Sequence, residues 1–382
     1  MAIKDLLREF LDKAESEQGS REDQKAFGYF CTYFPVEIVH AAGLLPVRVL
    51  GERKRLVHVD AYLPSFGCSF VRTALESGLD GSLNYLSGIG FSHTCDSIQV
   101  LSGVWGTVFQ DQLVHNILFP SKLNDPGSHR FLLKELQTFK DSLEDHMNVS
   151  IDEAQLWHSI HVYQKKRKLF NELYEWRKRY PGILKGSDLL RAVNSGMRMD
   201  PEQHNRLLEQ LLDHVKGFAA PKEDGQTHVK VVLAGNICAF PDIVEIIEGC
   251  GAVVVDDQLC TGARYFRSAF DNPDDSADLA EETDALSYIA GLYLNKFPCP
   301  AKYHSGVRRD EALLFSVEDS GADGVIFLLI RLCDPYSYDY TFLKRALAKK
   351  GYPSLVVEYE QQTESFEQLQ TRVEAFVESV QS

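Results

Sequence analysis

No stretch of this sequence approaches the ~20 consecutive apolar residues that span a bilayer; the longest unbroken run, Val325 to Ile330, is strand-sized. Basic residues are scarce too: 40 Lys and Arg stand against 55 Asp and Glu, and the net charge of −15 argues against a surface built to coat nucleic acid or an anionic membrane. Any anionic ligand must be met by local basic groups. The eight cysteines include no C-x-x-C pair, so neither a ferredoxin run nor a zinc ribbon is written locally. There is no G-x-x-x-x-G-K-[ST] loop to supply P-loop ATP hydrolysis. No repeat of fixed period appears, which argues against a solenoid. The opening "MAIKDLLREFLDKAESEQ" lacks the uninterrupted apolar core and small-residue cleavage site of a secretory signal, and reads instead as an amphipathic helix. The expectation is a cytoplasmic protein with reduced thiols.

What is present is a globular composition, 44% hydrophobic and 25% charged, in a chain of 382 residues that exceeds one ordinary core. To about Ser121, helix and strand alternate. "PVEIVHAAG" reads as a helix closed by Gly43 and "LPVRVLG" as a strand; "SFVRTALESG" is a helix, "LDGSLNYL" a shorter strand, "CDSIQVLSGVW" a helix and "VHNILFP" a strand. Long charged helices follow, including "DPEQHNRLLEQLLDHV" with Asp200 as N-cap and Pro201 at its first position. "APKEDGQTH" is a turn-rich break. Alternation then resumes through "VKVVLAG", "FPDIVEIIEGCG", "AVVVDD", an acidic loop, "EALLFSVEDSG", "GVIFLLI", "DYTFLKRALAKKG", "PSLVVEYE" and a terminal helix. The expected fold is α/β: two Rossmann-like lobes with parallel sheets (1–126 and 226–382) joined by a helical connector (127–225), with a cleft between strand carboxyl ends.

Four cysteines stand at element ends rather than in core-facing positions: Cys31 before "TYFPVE", Cys68 in "FGCSFVR", Cys95 in "HTCDS" and Cys333 in "RLCDPYS". A packing thiol belongs on an apolar face, whereas these neighbour Gly, Pro, Asp and Ser. Cys238, Cys250 and Cys299 suit packing better. Cys260, in "DDQLCTGARYF", is intermediate. A metal site has to be assembled by the fold.

Six segments in order, "CTYFPVEIVHAAGLLPVRVLG", "CSFVRTALESGLDG", "HTCDS", "AGNICAFPDIVEIIEGCGAVVVDDQLCTGARYF", "GADGVIFLLIRLCDP" and "EQLQTRVEAF", resemble the iron–sulfur component of the 2-hydroxyacyl-CoA dehydratase and benzoyl-CoA reductase family. The likeness runs through nearly the whole chain. It implies a [4Fe–4S] cluster held by Cys31, Cys68 and Cys333, with Cys95 as a fourth ligand or close neighbour. A larger double-cubane cluster, as in related proteins, would engage further cysteines, and Cys260 stays open. Three thiolates leave one iron free to take a substrate oxygen, as catalytic metals do.

The resemblance also implies a mechanism. In a 2-hydroxyacyl thioester the β-proton is not acidic; one electron on the thioester carbonyl makes a ketyl radical that expels the 2-hydroxyl, after which that proton can leave. Dearomatising benzoyl-CoA asks for the same low-potential electron and is the alternative within this family. The implied partners are a CoA thioester, a homologous cluster subunit in a heterodimer, and a separate ATP-hydrolysing activator. A hypothesis of another class is a two-lobed electron-storage or ligand-binding protein without turnover.

Weaker candidates carry a plainer reading. Gly235, Gly262 and Arg264 flank strand ends where a CoA pyrophosphate would fit, but glycine there ordinarily marks a turn. Arg191 and Arg198 belong more readily to a solvated helix face than to phosphate binding. His93 and His304 are proton-transfer candidates against a structural alternative. Arg372 and Glu374 read as a structural pair, and "DNPDDSADLAEETD" as a solvated loop with activator docking as the alternative.

Overall fold

The computed structural model describes residues 5, 8, 11, 12, 25–217, 228–268, 284–362 and 366–382. Most of the expected N-terminal helix, the break at 220–227 and most of the acidic stretch lie outside the described residues.

Two four-stranded sheets are present, each wholly parallel. The first comprises β1 (Ala26–Tyr29), β2 (Leu45–Arg48), β3 (Leu86–Ser92) and β4 (Leu113–Ile117), in the order β2-β1-β3-β4. The second comprises β5 (Val229–Gly235), β6 (Ala252–Gln258), β7 (Gly324–Ile330) and β8 (Ser354–Tyr359), in the order β6-β5-β7-β8. The expected two-lobed α/β architecture is therefore the observed one. The lobes share one winding: the chain runs from the first strand of a lobe to one side, then returns to the other, leaving a switch point between β1 and β3 and another between β5 and β7. Every residue of β7 is buried, which explains its continuous apolar run, because helices cover both faces of a parallel sheet.

Two strands differ from the sequence reading. "LDGSLNYL" is a turn, closed where Asp80 accepts from the Ser82 amide at 3.0 Å and Gly81 takes φ +85°. The strand starts at Leu86. β1, "AFGY", lies just before Cys31 in a stretch that reads as a turn. Glycine hides both: a Cβ on Gly28 would meet Leu86 at 2.7 Å, and one on Gly90 would run into the Phe34 ring. Close packing of Phe27, Phe34 and Phe139 requires glycine where a strand usually shows a branched residue.

Between the sheets run helices Ser128–Met147, Glu153–Arg179, Gly186–Gly196 and Pro201–Lys216. Asp152 and Gln155 form a reciprocal capping box, and Asp200 accepts from the Gln203 amide with Pro201 at the helix start, as its sequence leads one to expect. A further helix, Ala285–Leu294, was not evident from the pattern; it is capped by Asp284 and packs with Phe34, Leu132 and Ile160 in the core of the first lobe. Contacts thus cross the boundaries drawn at 126 and 225. Glu248 of helix Asp242–Gly249 likewise accepts from the Gly186 amide and the Ser187 hydroxyl of the connector.

Candidate functional site

Strand carboxyl ends carry four of the cysteines, three of them at the switch points. Cys31 follows β1 and Cys95 follows β3; Cys260 follows β6 and Cys333 follows β7. Open parallel sheets bind ligands in the crevice at this end, where diverging loops leave a gap between the strands. The fold bends its backbone to place them: Cys31 has φ +71° and Leu332, just ahead of Cys333, has φ +61°. Among the described non-glycine residues only Asn148 joins them in that costly region.

Helix starts supply three of the thiols. Cys68, Cys95 and Cys333 are the N-caps of helices Ser69–Leu79, Asp96–Val108 and Asp334–Lys349. Helix N-termini present free amides and a partial positive charge, a setting that favours thiolates. Against burial, the Val71 amide, Ser97 and the Phe70 amide lower the Cys68 thiol, and the Asn236 side chain lowers that of Cys333. Asn236 is built into both loops: its Oδ1 accepts from the Ile330 amide at 3.1 Å and its carbonyl accepts from the Cys260 amide at 2.9 Å.

Burial sets the protonation state. It pushes the Cys95 thiol up to about 12, and Cys68, Cys333 and Cys31 all lie near enough to push the same way. Cys333 is also pushed up to about 12, by burial first and then by Cys68, Cys260 and Cys299, with the Asn236 bond opposing. Cys299 rises to about 11, again by burial first, then Cys31. Without a cation these thiols are protonated; a metal would displace the protons.

The structure thus brings Cys31, Cys68 and Cys333 within electrostatic reach of Cys95, with Cys260 and Cys299 on the Arg264 side of the same space. Sequence reasoning assigned Cys299 to packing, and it missed Asn236. The only signal for Asn236 was its place in "AGN" after a strand. Cys238 and Cys250 do read as packing thiols: Cys238 is fully buried with its sulfur on the Phe240 carbonyl, and Cys250 closes a helix. Among the described residues no three His, Cys, Asp or Glu side chains group around a single metal ion.

The donor set is soft sulfur with cations beside it. Lys302 is buried, donates to the His93 and Phe119 carbonyls at 3.0 Å each, and lies near Cys299, Cys31 and Cys95. Arg264 lies near Cys260 and Cys299. Thiolates select soft metals and iron–sulfur clusters, whose irons share the ligands out so that no single ion gathers them all. The residues present fit such a cluster.

Other candidates resolve as structural. A Cβ on Gly235 would collide with the Leu328 carbonyl oxygen, and one on Gly262 with the Asp257 carboxylate, so packing demands both glycines. Arg191 pairs with Glu245 at 2.6 Å. His304 accepts from the Gly306 amide and so closes its own turn. Arg372 donates to the Val356 carbonyl while Glu374 accepts from Gln370, so those two are fixed separately.

Residues 31–380 match the model of the 2-hydroxyglutaryl-CoA dehydratase D-component family. Similar characterised proteins include the (R)-phenyllactyl-CoA dehydratase beta subunit of Clostridium sporogenes, 27% identical over 94% of this chain and 92% of that one. The beta subunit of lactoyl-CoA dehydratase from Anaerotignum propionicum is 28% identical over 98% and 99% respectively. A benzoyl-CoA reductase subunit of Thauera aromatica is 28% identical over 98% and 96%. With the match extending from Cys31 through both lobes, the chain belongs to the 2-hydroxyglutaryl-CoA dehydratase D-component family.

Proposed function

We propose that this chain is the iron–sulfur subunit of an enzyme that acts on a CoA thioester by ATP-driven one-electron chemistry, with 2-hydroxyacyl-CoA dehydration as the reaction. The observation that carries the reading is that Cys31, Cys68 and Cys333 all lie within electrostatic reach of Cys95, in a chain similar end to end to dehydratase beta subunits. Cys31, Cys68 and Cys333 hold a [4Fe–4S] cluster, and Cys95 is its neighbour or fourth ligand. When bound, the cluster supplies one low-potential electron for a thioester carbonyl.

The protein's own residues prepare the space. Three helix N-termini and the cations Arg264 and Lys302 favour negative charge there. The apolar cluster that contains Cys68 and packs against Cys95 includes Phe30, Phe70 and Ile98, surroundings that limit water near a reactive electron. ATP hydrolysis belongs to a separate activator, and a homologous subunit completes the enzyme.

Anaerobic purification with iron and sulfide analysis tests the reading. About four irons per chain are expected from one cubane. Cys31→Ser, Cys68→Ser and Cys333→Ser should each lose them, while Cys238→Ser keeps them. A wild-type chain without iron sinks the proposal. Activator-dependent turnover of a 2-hydroxyacyl-CoA, with benzoyl-CoA as the competing substrate, separates dehydration from ring reduction; the similarity to the Thauera aromatica protein is what keeps the second reaction in view.

A further inference from the structure

Several buried and half-buried arginines of this protein are matched to carboxylates: Arg167 to Glu37, Arg177 and Arg267 to Asp256, Arg309 to Asp339. Arg48 instead donates to the Cys260 carbonyl at 2.9 Å. Among the described residues Arg264 has neither kind of partner. It is 5% exposed, its Nε and Nη1 have no hydrogen-bond acceptor, and no carboxylate pairs with it among the described residues. Its guanidinium lies 5.4 Å from the Tyr336 ring centroid and 6.0 Å from that of Phe297, and its anionic-capable neighbours are Cys260, Cys299, Tyr33 and Cys31.

A buried cation without an anion is unstable, and ring faces compensate only partly. The two open N–H donors and the surrounding thiols point the same way: the missing anion occupies the cysteine-lined space. We propose that Arg264 is the counter-charge of the thiolate-held cluster and makes it easier to reduce; this rests on the cluster reading above. A fixed positive charge in a low-dielectric site lowers the energy of an added electron. Arg264 is a positioning residue here, acting on the electron's energy and not on substrate.

The test is a reductive titration of the anaerobically purified full chain with titanium(III) citrate, followed by electron paramagnetic resonance, with iron content measured in parallel. Arg264→Gln should keep its iron and show a midpoint more negative by at least the 59 mV that corresponds to a tenfold change in reduced-to-oxidised ratio for a one-electron couple. Arg264→Lys, which keeps the charge, should stay near wild type. The double variant Arg309→Gln, Asp339→Asn removes a guanidinium lying 5.5 and 5.8 Å from the same two rings together with the carboxylate that neutralises it, so the net charge is unchanged and the midpoint should move much less. An iron-loaded Arg264→Gln chain with a wild-type midpoint overturns the inference, as does an equal shift in the Arg309→Gln, Asp339→Asn variant. If Arg264→Gln loses its iron, retention in Arg264→Lys supports the counter-charge and loss in both refutes it. Wild type without iron refutes the cluster reading itself.

Discussion

Cys31 sits in a left-handed backbone conformation that non-glycine residues avoid, and the chain bears that strain at the switch point of the first sheet. Side-chain type and neighbours made Cys31, Cys68, Cys95 and Cys333 visible in the sequence, since thiols beside Gly, Pro and Asp at element ends stand out from the apolar faces, although Cys68 also packs in the apolar core. Cys299 was not visible, because its place depends on a return of the chain that no local pattern encodes. The thiols also make a pH prediction for the metal-free protein. Cys95 and Cys333 are both held at about 12, whereas the unfolded value is 9.0. The folded state therefore keeps these protons longer, its advantage is complete below about pH 9, and that advantage disappears as pH rises toward 12. Thermal melts of the apo chain should show this alkaline decline, and a Cys95→Ser, Cys333→Ser double variant should flatten it; an unchanged slope would contradict the assignment. His115 behaves in the opposite sense. Burial against Phe139 pushes it down to about 4 from 6.5, so its contribution is present above about pH 6.5 and is lost as pH falls toward 4. His115→Gln should lessen the acid sensitivity of the melting temperature.

At the scale of elements, branched runs such as "VKVVLAG" and "GVIFLLI" announced their strands, and Asp200 with Pro201 announced a helix start. β1 and β3 stayed hidden because their glycines answer to aromatic rings on other elements. That difference is measurable. Gly90→Ala would drive a methyl into Phe34 and should destabilise the fold by about 1–3 kcal/mol, read from urea unfolding. Gly103 lies in helix Asp96–Val108 with nothing within 4 Å of an added Cβ. Gly103→Ala should therefore stabilise by about 0.5–1 kcal/mol in the same assay. Equal effects at the two sites would mean that the strand packing is wrongly described.

For the whole molecule, one apolar cluster joins Phe30 and Val47 of the first lobe to Val231, Ile326 and Tyr359 of the second. Gln361 ties the lobes polar group to polar group: its Nε2 donates to the Leu50 carbonyl at 2.8 Å, its amide to the Ser69 hydroxyl at 3.0 Å, and its Oε1 accepts from Thr73. Gln361→Leu strands those buried partners and should cost about 1–3 kcal/mol, with faster amide hydrogen exchange around Leu50 and Thr73 as the local signature. Retained exchange protection there would show that the apolar cluster alone holds the lobes. Helix Ala285–Leu294 carries a last consequence. After β6 the polypeptide goes back to the first lobe and then leaves again for β7, so the halves are strapped together by more than one passage of chain. A mouth sewn at several points does not gape. Entry to the thiol-lined crevice then depends on movement of its rim loops, and small-angle scattering should give the same radius of gyration with and without a CoA thioester.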